Sequence, residues 1–206
     1  FCLLGTVQAE NLSLTKPEQM TPLVGNHCVI NQIDKDLIEA FGNTSSLGNL
    51  IDTNVDNYVS LSGLAGVDVA YHQIVSIKDM EYYYGETDAD KEMSLETGFV
   101  LQSVSDGTNL LTADVLKMFV IETYLDGVKQ ESSVQDNEHS GLLDLNLITV
   151  SSDGKTRASI RATKPFNEVR LAVAGVNVEA FKQLKLYYAY VGENEMKPIT
   201  QTEHYL

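Results

Sequence analysis

The sequence has few cysteines and no long apolar run, and each shortage excludes a class of protein. Its 206 residues contain two cysteines, Cys2 and Cys28. Removal of a signal peptide at the start would leave Cys28 alone, so an internal disulfide is not expected. Apolar runs stay well short of the ~20 residues that cross a membrane as a helix. We therefore expect no membrane insertion and a fold held together by packing, with a metal as a further aid.

Basic residues are also scarce. Lysine and arginine total 14 against 29 acidic residues, which gives a net charge of −15. A phosphate backbone needs a basic surface, so nucleic-acid binding is not expected. Attachment to an anionic bilayer by charge alone is excluded for the same reason. The acidic balance suits an extracellular protein and tolerates divalent cations.

The first nine residues, FCLLGTVQA, are uncharged and mostly apolar. Val7 and Ala9 stand three residues and one residue before the bond to Glu10, where a signal peptidase prefers small side chains. The segment therefore predicts the tail of a secretory signal peptide. The alternatives are an apolar first strand or a lipidated cysteine at Cys2. Secretion without disulfides is more typical of a bacterium than of an animal.

The pattern along the chain divides it into four segments. Residues 1–9 are the signal remnant, and residues 10–48 are a polar N-terminal extension with a short helix predicted at 34–42. Residues 49–192 carry the strand pattern, and residues 193–206 form a tail. The clearest hairpin is FVIETYLDGVKQES, where Asp126 and Gly127 suit a type I′ turn. Six to nine short strands with tight turns predict an all-β fold, an antiparallel β-sandwich.

The stretch NLIDTNVDNYVSLSG carries oxygen-bearing side chains at alternate positions, Asp52, Asn54 and Asp56. It copies the first half of an EF-hand loop, but Asn57 stands where that loop requires glycine and Gly63 where it requires glutamate. Two interpretations remain. Asx side chains that cap their own backbone would make a structural turn, which is favoured, and the alternative is a structural calcium site formed by the three residues.

Tyrosines occur in two runs, Tyr82 to Tyr84 and Tyr187 to Tyr190. Neighbours in a strand point to opposite faces, so at least one member of each run should be exposed or at a rim. Exposed rings stack on sugars, and Tyr82, Tyr83, Tyr84 and Tyr188 are therefore the candidate ligand-binding residues. The alternative is that these are half-buried β-formers.

Catalytic signatures are absent from the sequence. The four histidines lack the spacing of a zinc site, and no G-x-S-x-G or phosphate-binding glycine loop occurs. Cys28 follows His27, but adjacent residues rarely form a catalytic pair, so a buried or merely exposed thiol is favoured. No carboxylate pair stands out from the rest. The sequence predicts no catalytic residue and a protein that is not an enzyme.

Several stretches together resemble a domain found in surface and secreted proteins of Bacteroidetes bacteria. They are NLIDTNVDNYVSLSGLAG, VSIKD, VLKMFVIETYLDGVKQES, KPFNEVRLAVAG and LKLYYAYVG. Members show an N-x-I-D-x-x-x-x-N-Y start, here Asn49 to Tyr58, then a YLNG-like strand, a PFNEV strand and a YYAFV-like closing strand. The resemblance spans about residues 49–192 and implies a cell-envelope protein, often built into longer adhesin-like chains.

A more distant similarity is to discoidin-type, galactose-binding-like jelly rolls. Asn49, Asp52 and Asn54 stand where their opening motif N-x-x-D-G-N would fall, and residues 184–192 resemble their closing strand. Thr53 replaces the glycine of that motif, and Tyr58 stands near its usual tryptophan. The similarity implies a jelly-roll topology and a structural calcium near the closing strand.

These observations favour a non-catalytic, extracellular binding or adhesion module of a bacterial cell envelope. Its expected partner is a glycan or a host or matrix protein. The first alternative is a structural spacer or assembly domain with no ligand of its own. The remote alternative is a glycan-active enzyme, which would require two carboxylates, or a tyrosine and a histidine, facing each other in a cleft.

Overall fold

The computed structural model describes residues 14–15, 20–33, 44–61, 69–83, 87–88, 91–92, 95–103, 118–134, 149–150, 154–176 and 184–193. These stretches contain one 3-10 helix, Thr44–Leu50. They also contain fourteen strands: β1 Leu14–Thr15, β2 Thr21–Pro22, β3 Cys28–Ile33, β4 Val59–Leu61, β5 Val69–Tyr83, β6 Thr87–Asp88, β7 Lys91–Glu92, β8 Leu95–Ser103, β9 Phe119–Leu125, β10 Val128–Ser132, β11 Thr149–Val150, β12 Thr156–Ala162, β13 Phe166–Val176 and β14 Leu184–Glu193.

The strands form two six-stranded sheets and a small hairpin of β6 and β7. Sheet I has the order β5–β13–β9–β10, with β1 and β3 on the other side of β5. Sheet II has the order β11–β12–β8–β14, with β2 and β4 both pairing with β14. Apart from the parallel β1–β5 pair, the described pairings of both sheets are antiparallel.

The topology is that of one long hairpin folded over on itself. β9 pairs with β10 at the tip, and moving outwards β8 pairs with β12, β5 with β13 and β4 with β14. Successive pairs belong to alternating sheets, which gives β4–β14–β8–β12 facing β5–β13–β9–β10. This is the order of an eight-stranded jelly roll. The all-β sandwich expected from the sequence is therefore confirmed.

The predicted turn forms the tip of this folded hairpin. Asp126 has a φ of 48° and Gly127 a φ of 81°, as the two central residues of a type I′ turn require. The Asp126 amide also donates to Asn167 Oδ1 at 3.0 Å, which ties the turn to β13. The local sequence signal at Asp126–Gly127 thus sets the innermost pairing of the whole sandwich.

The core lies between the two sheets and follows the alternation of the strands. β13 turns Val169, Leu171 and Val173 inwards, and its intervening residues face away from the core. The facing side chains of sheet II are equally apolar and fully buried. They include Phe99, Leu101, Leu184, Leu186, Ala189 and Val191. No helix among the described residues is long and apolar enough to span a membrane.

Part of the segment 10–48 belongs to the sandwich. β3 pairs with β5 in sheet I, and β2 pairs with β14 in sheet II. Among the described residues each of these strands pairs with one neighbouring strand only, and the segment contributes Leu23 and Cys28 to the core. The helix predicted at 34–42, the signal remnant 1–9 and the tail from 194 onwards lie outside the described residues.

Candidate functional site

The loop from Asp52 to Asn57 joins the 3-10 helix to β4 and is closed by its own side chains. The Asn54 amide donates to Asp52 Oδ1 at 2.8 Å, and the Asp56 amide donates to Asn54 Oδ1 at 3.2 Å. Asn57 Nδ2 donates to Asp52 Oδ2 at 2.7 Å. The first two bonds make successive Asx turns. The loop therefore has the structural turn geometry that the sequence favours.

The same oxygens are those of the predicted calcium site. Asp52 accepts two hydrogen bonds within the loop, and Asp56 Oδ1 accepts one from Lys155 Nζ at 2.7 Å. Both carboxylates already have partners in Asn57 and Lys155, which a bound calcium ion would share or replace. The calcium site at Asp52, Asn54 and Asp56 stays a prediction.

Beside this loop lies a group of two tyrosines and two lysines on the outer face of sheet II, named here the tyrosine–lysine patch. The ring of Tyr58, 37% exposed, lies 5.6 Å from that of Tyr187, centroid to centroid. Lys185 Nζ lies 4.3 Å from the Tyr58 centroid, and Lys155 Nζ lies 4.5 Å from the Tyr187 centroid. Contacts of this kind are cation–π interactions, and they hold Lys185 against the accessible ring of Tyr58 and Lys155 against the buried ring of Tyr187.

The pairing of β4 with β14 creates this patch. Val59 pairs with Leu186, so Tyr58 and Tyr187 occupy the next position along the two chains. The Tyr187 hydroxyl donates to Gln102 Oε1 on β8 at 2.7 Å, which fixes the buried ring beneath the exposed one. The exposed ring of Tyr58 thus rests on a rigid support.

The alternation of rings and cations continues along the same face. Arg157 lies over the buried ring of Tyr190 at 5.9 Å from its centroid. The Tyr190 hydroxyl donates to Glu96 Oε1 at 2.6 Å. Tyr188 is half-buried and packs against the cluster of Tyr187 and Tyr190. The outer face of sheet II therefore gathers cations on a chain that is strongly acidic overall.

The tyrosines singled out from the sequence do not form one site. Tyr82 is half-buried on sheet I, with its hydroxyl 3.4 Å from Asp126 Oδ1. Tyr83 is buried, packs 5.7 Å from Phe166 and donates to Asp79 Oδ2 at 2.8 Å, so a ligand could not stack on it without opening the core. Tyr84 lies outside the described residues, and Tyr188 lies on sheet II.

A second polar cluster covers the outer face of sheet I around Glu122. This buried carboxylate accepts hydrogen bonds at 2.8 Å from the hydroxyls of Tyr71 and Tyr124, and Lys129 Nζ lies 2.7 Å from it. Burial alone raises the pKa of Glu122, but the bonds from Lys129, Tyr71 and Tyr124 outweigh burial and lower it. A general acid for glycoside cleavage needs a raised pKa, so Glu122 is set up as a structural anion.

A second buried carboxylate, Glu168, lies on the same face. Asn31 Nδ2 donates to its Oε2 at 2.9 Å, and Arg170 Nη2 lies 3.7 Å from its Oε1. Arg170 also donates to the Tyr124 hydroxyl at 2.7 Å, with its guanidinium 3.8 Å from the Tyr124 ring centroid. These contacts tie β3, β9 and β13 together.

Cys28 meets His27 and Asp79 at one end of sheet I. Its Sγ lies 3.4 Å from His27 Nδ1, and the same nitrogen lies 2.9 Å from Asp79 Oδ1. A cysteine–histidine–acid triad needs the thiol and the carboxylate on different ring nitrogens. Burial and the neighbouring Asp79 carboxylate also raise the pKa of the thiol far above its usual range. Both features oppose a nucleophilic role for this cysteine.

Comparison of the chain with protein-family models and with curated proteins finds no match. The functional argument therefore depends on the geometry of the described residues. The residues that sequence reasoning missed are Tyr58, Lys155 and Lys185. They come from three separate segments, and only the strand register brings them together, although Tyr58 follows directly on the Asx loop that the sequence does mark.

Proposed function

We propose that this chain is a non-catalytic, extracellular glycan-binding module of a bacterial cell envelope, with its ligand on the tyrosine–lysine patch. The observation that carries the proposal is the Tyr58 ring, which is exposed at the rim of the sandwich and supported by Tyr187. The signal-like start and the resemblance to Bacteroidetes surface domains support secretion and the envelope setting.

A sugar is the ligand that these groups suit. The apolar face of a pyranose ring stacks on an aromatic side chain, while polar groups around it fix the orientation of its hydroxyls. Asn54 and Asn57 bring side-chain amides into the loop that leads to Tyr58. A rigid ring next to amide groups is therefore a suitable platform for a sugar.

The two lysines point to an acidic sugar. Only 14 of the 206 residues are lysine or arginine, yet two of them lie on the two rings of the patch. Lys155 is paired with Asp56, so Lys185 supplies the positive charge that is left for a ligand. On a molecule with a net charge of −15, such a cation favours anionic groups that the rest of the surface repels. A uronate or sialate carboxylate would draw Lys185 away from the Tyr58 ring, and the sugar ring would then stack on the face that Lys185 leaves.

The test is a binding screen with acidic and neutral polysaccharides, followed by titration calorimetry on the best ligand. Tyr58→Ala should weaken binding by about tenfold, the size expected for one stacking contact. Lys185→Gln should weaken binding of the acidic glycan and leave neutral analogues unchanged. Tyr82→Ala is the matched control, because Tyr82 is also a partly exposed tyrosine but lies on sheet I, where its hydroxyl contacts only the exposed Asp126 side chain among the described residues. Circular dichroism must show that each variant is folded.

The outcomes separate the proposal from its alternatives. Equal loss of binding in Tyr58→Ala and Tyr82→Ala would contradict a ligand on the patch. If Lys185→Gln binds the acidic glycan as tightly as the unmodified chain does, the preference for acidic sugars is wrong, although glycan binding itself still holds. A screen without any glycan bound, repeated with matrix proteins and also negative, would favour the structural spacer.

A further inference from the structure

Two adjacent residues, His27 and Cys28, meet an aspartate from a distant part of the sequence, Asp79, in sheet I. Cys28 begins β3 and stands directly opposite Asp79 on β5 in the strand register. His27 precedes Cys28 in a turn that Gly25 opens with a φ of 95°. The turn is closed by the Cys28 amide, which donates to the Gly25 carbonyl at 3.1 Å, and the Met80 amide donates to the His27 carbonyl at 3.0 Å.

His27, Cys28 and Asp79 each offer a ligand atom within 4.8 Å of the other two, close to the separations of a coordination site. His27 Nδ1 and Asp79 Oδ1 are 2.9 Å apart, and Cys28 Sγ is 3.4 Å from His27 Nδ1 and 3.4 Å from Asp79 Oδ2. In a tetrahedral zinc site, ligand atoms about 2.0–2.3 Å from the metal lie about 3.3–3.6 Å from each other. Binding through one Asp79 oxygen requires the carboxylate to turn, because its two oxygens face different ligands, and requires His27 Nδ1 and that oxygen to separate by about 0.4 Å.

We propose that His27, Cys28 and Asp79 bind a zinc-class transition-metal ion, with solvent in the fourth position. A thiolate and an imidazole are ligands for Zn²⁺ and its neighbours, and they disfavour Ca²⁺ and Mg²⁺, which take oxygen ligands. The site is distinct from the predicted calcium loop, whose donors are all oxygen atoms.

Two neighbouring hydrogen-bond donors hold the Asp79 carboxylate next to the other two ligands. The Glu81 amide donates to Asp79 Oδ1 at 2.9 Å, and the Tyr83 hydroxyl donates to Asp79 Oδ2 at 2.8 Å. Each carboxylate oxygen keeps a second lone pair, and these lone pairs face His27 and Cys28. Groups that orient a ligating carboxylate in this way are typical of the outer shell of metal sites.

Metal binding would replace the hydrogen bonds among the three ligands. Zn²⁺ would take the place of the hydrogen bonds that Asp79 makes with the two other side chains. The Cys28 thiol would release its proton to solvent, and His27 would bind through Nδ1 as a neutral imidazole with its proton on Nε2. One thiolate and one carboxylate balance the two charges of the ion, so the bound site is neutral. The His27 side chain is 46% exposed and provides the path by which the ion enters.

The test uses the full chain, stripped with chelator and titrated with Co²⁺ and Zn²⁺. Co²⁺ should bind in a 1:1 ratio and give the near-ultraviolet charge-transfer band of a thiolate ligand, and Zn²⁺ should displace it. Cys28→Ser should abolish the band, and Cys2→Ser should keep it. His27→Gln should weaken binding by at least about 100-fold, since loss of an outer-shell group already costs 10–100-fold.

His72→Gln is the matched control, because His72 is an exposed histidine on β5 away from the cluster. It should bind Co²⁺ as the unmodified chain does. His27 is half-exposed, so His27→Gln tests the site without opening the core. The proposal is overturned if Co²⁺ gives no thiolate band, if the band survives in Cys28→Ser, or if His27→Gln and His72→Gln bind equally well.

Discussion

Lys129 Nζ lies 2.7 Å from Oε1 of Glu122, and the Glu122 side chain is only 3% exposed. A carboxylate on the outer face of a sheet is normally solvated, but this one is enclosed by Lys129 on β10, Tyr71 on β5 and Tyr124 on its own strand. Because desolvation of a charge is costly, these partners must stay in place for the charge to be stable. The cluster therefore couples the packing of sheet I to protonation.

Glu122→Gln should destabilise the protein by about 2 kcal/mol at pH 7, because an amide loses charge-assisted hydrogen bonds to two hydroxyls and an ammonium. Urea denaturation of both chains measures the difference. Glu131→Gln is a control at a more exposed carboxylate, which accepts from Thr163 and Lys164, and it should cost less. An equal loss in both variants would contradict the role assigned to burial.

The same carboxylate should make the fold sensitive to acid. The pKa of Glu122 is lowered in the folded state, so its contribution is complete above the unfolded value of about 4.3 and is lost as the pH falls through the folded value. The stability difference between the unmodified chain and Glu122→Gln should therefore shrink as the pH falls below about 4.3. Denaturation curves at a series of pH values test this. A stability difference that does not change with pH would show that the charge of Glu122 does not contribute to stability.

Tyr124 should make the stability of the fold depend on pH in the alkaline range as well. Burial and the hydrogen bond to the Glu122 carboxylate raise the pKa of Tyr124 to about 12. A raised tyrosine pKa stabilises the fold below the unfolded value of about 10, and this contribution is lost as the pH rises from about 10 to about 12. Absorbance titration of the phenolates should show one late-ionising tyrosine fewer in Tyr124→Phe. Ionisation of all tyrosines near pH 10 in the folded protein would refute this.

The fold could be predicted from the sequence where local rules determine it. The Asp126–Gly127 signal and the alternation in FVIETYL predict β9, its turn and β10 directly. The inward set Val169, Leu171 and Val173 of β13 follows from the same alternation. The sequence does not predict β3. The alternation of apolar residues in CVINQI is short, because a register shift after Ile30 interrupts it. Edge pairing of this kind depends on partners far along the chain.

The candidate sites were harder to predict, because they depend on register. Cys28 and Asp79 are 51 residues apart, and only the antiparallel pairing of β3 with β5 sets them opposite each other. Tyr82 and Tyr83 show what a local rule leaves open. Alternation predicts that adjacent tyrosines face opposite ways, but the sequence does not reveal which of the two enters the core.

Gly127→Ala should destabilise the protein by about 1 kcal/mol. A Cβ at this position would meet open space, so the whole cost comes from the φ of 81°, which a residue with a side chain rarely adopts. Gly48→Ala is a matched control, because a Cβ there also meets open space but φ is ordinary. It should be neutral or slightly stabilising. Thermal unfolding of both variants tests this, and equal losses would contradict the turn argument.

Gly98→Ala should have a larger effect for a different reason. Gly98 lies on β8 between β12 and β14, and an added Cβ would stand 2.6 Å from the Ser159 Cα. Because the obstacle is backbone, the strands must separate, and we expect a loss of about 3 kcal/mol. Urea denaturation measures it. A loss as small as that of Gly127→Ala would show that sheet II spreads easily at this point.

Asp52→Ala separates the turn from the calcium site in the loop before β4. The turn alone predicts a loss of about 1 kcal/mol, because Asp52 accepts from the Asn54 amide and from Asn57 Nδ2. That loss should be the same in calcium and in EDTA. A structural calcium ion predicts instead that the unmodified chain melts at a higher temperature in calcium, and that Asp52→Ala abolishes this increase because the ion binds only the folded loop. Thermal melts of both chains in both buffers distinguish the two, with Asp126→Ala, at the tip of the β9–β10 hairpin, as the control carboxylate outside the loop.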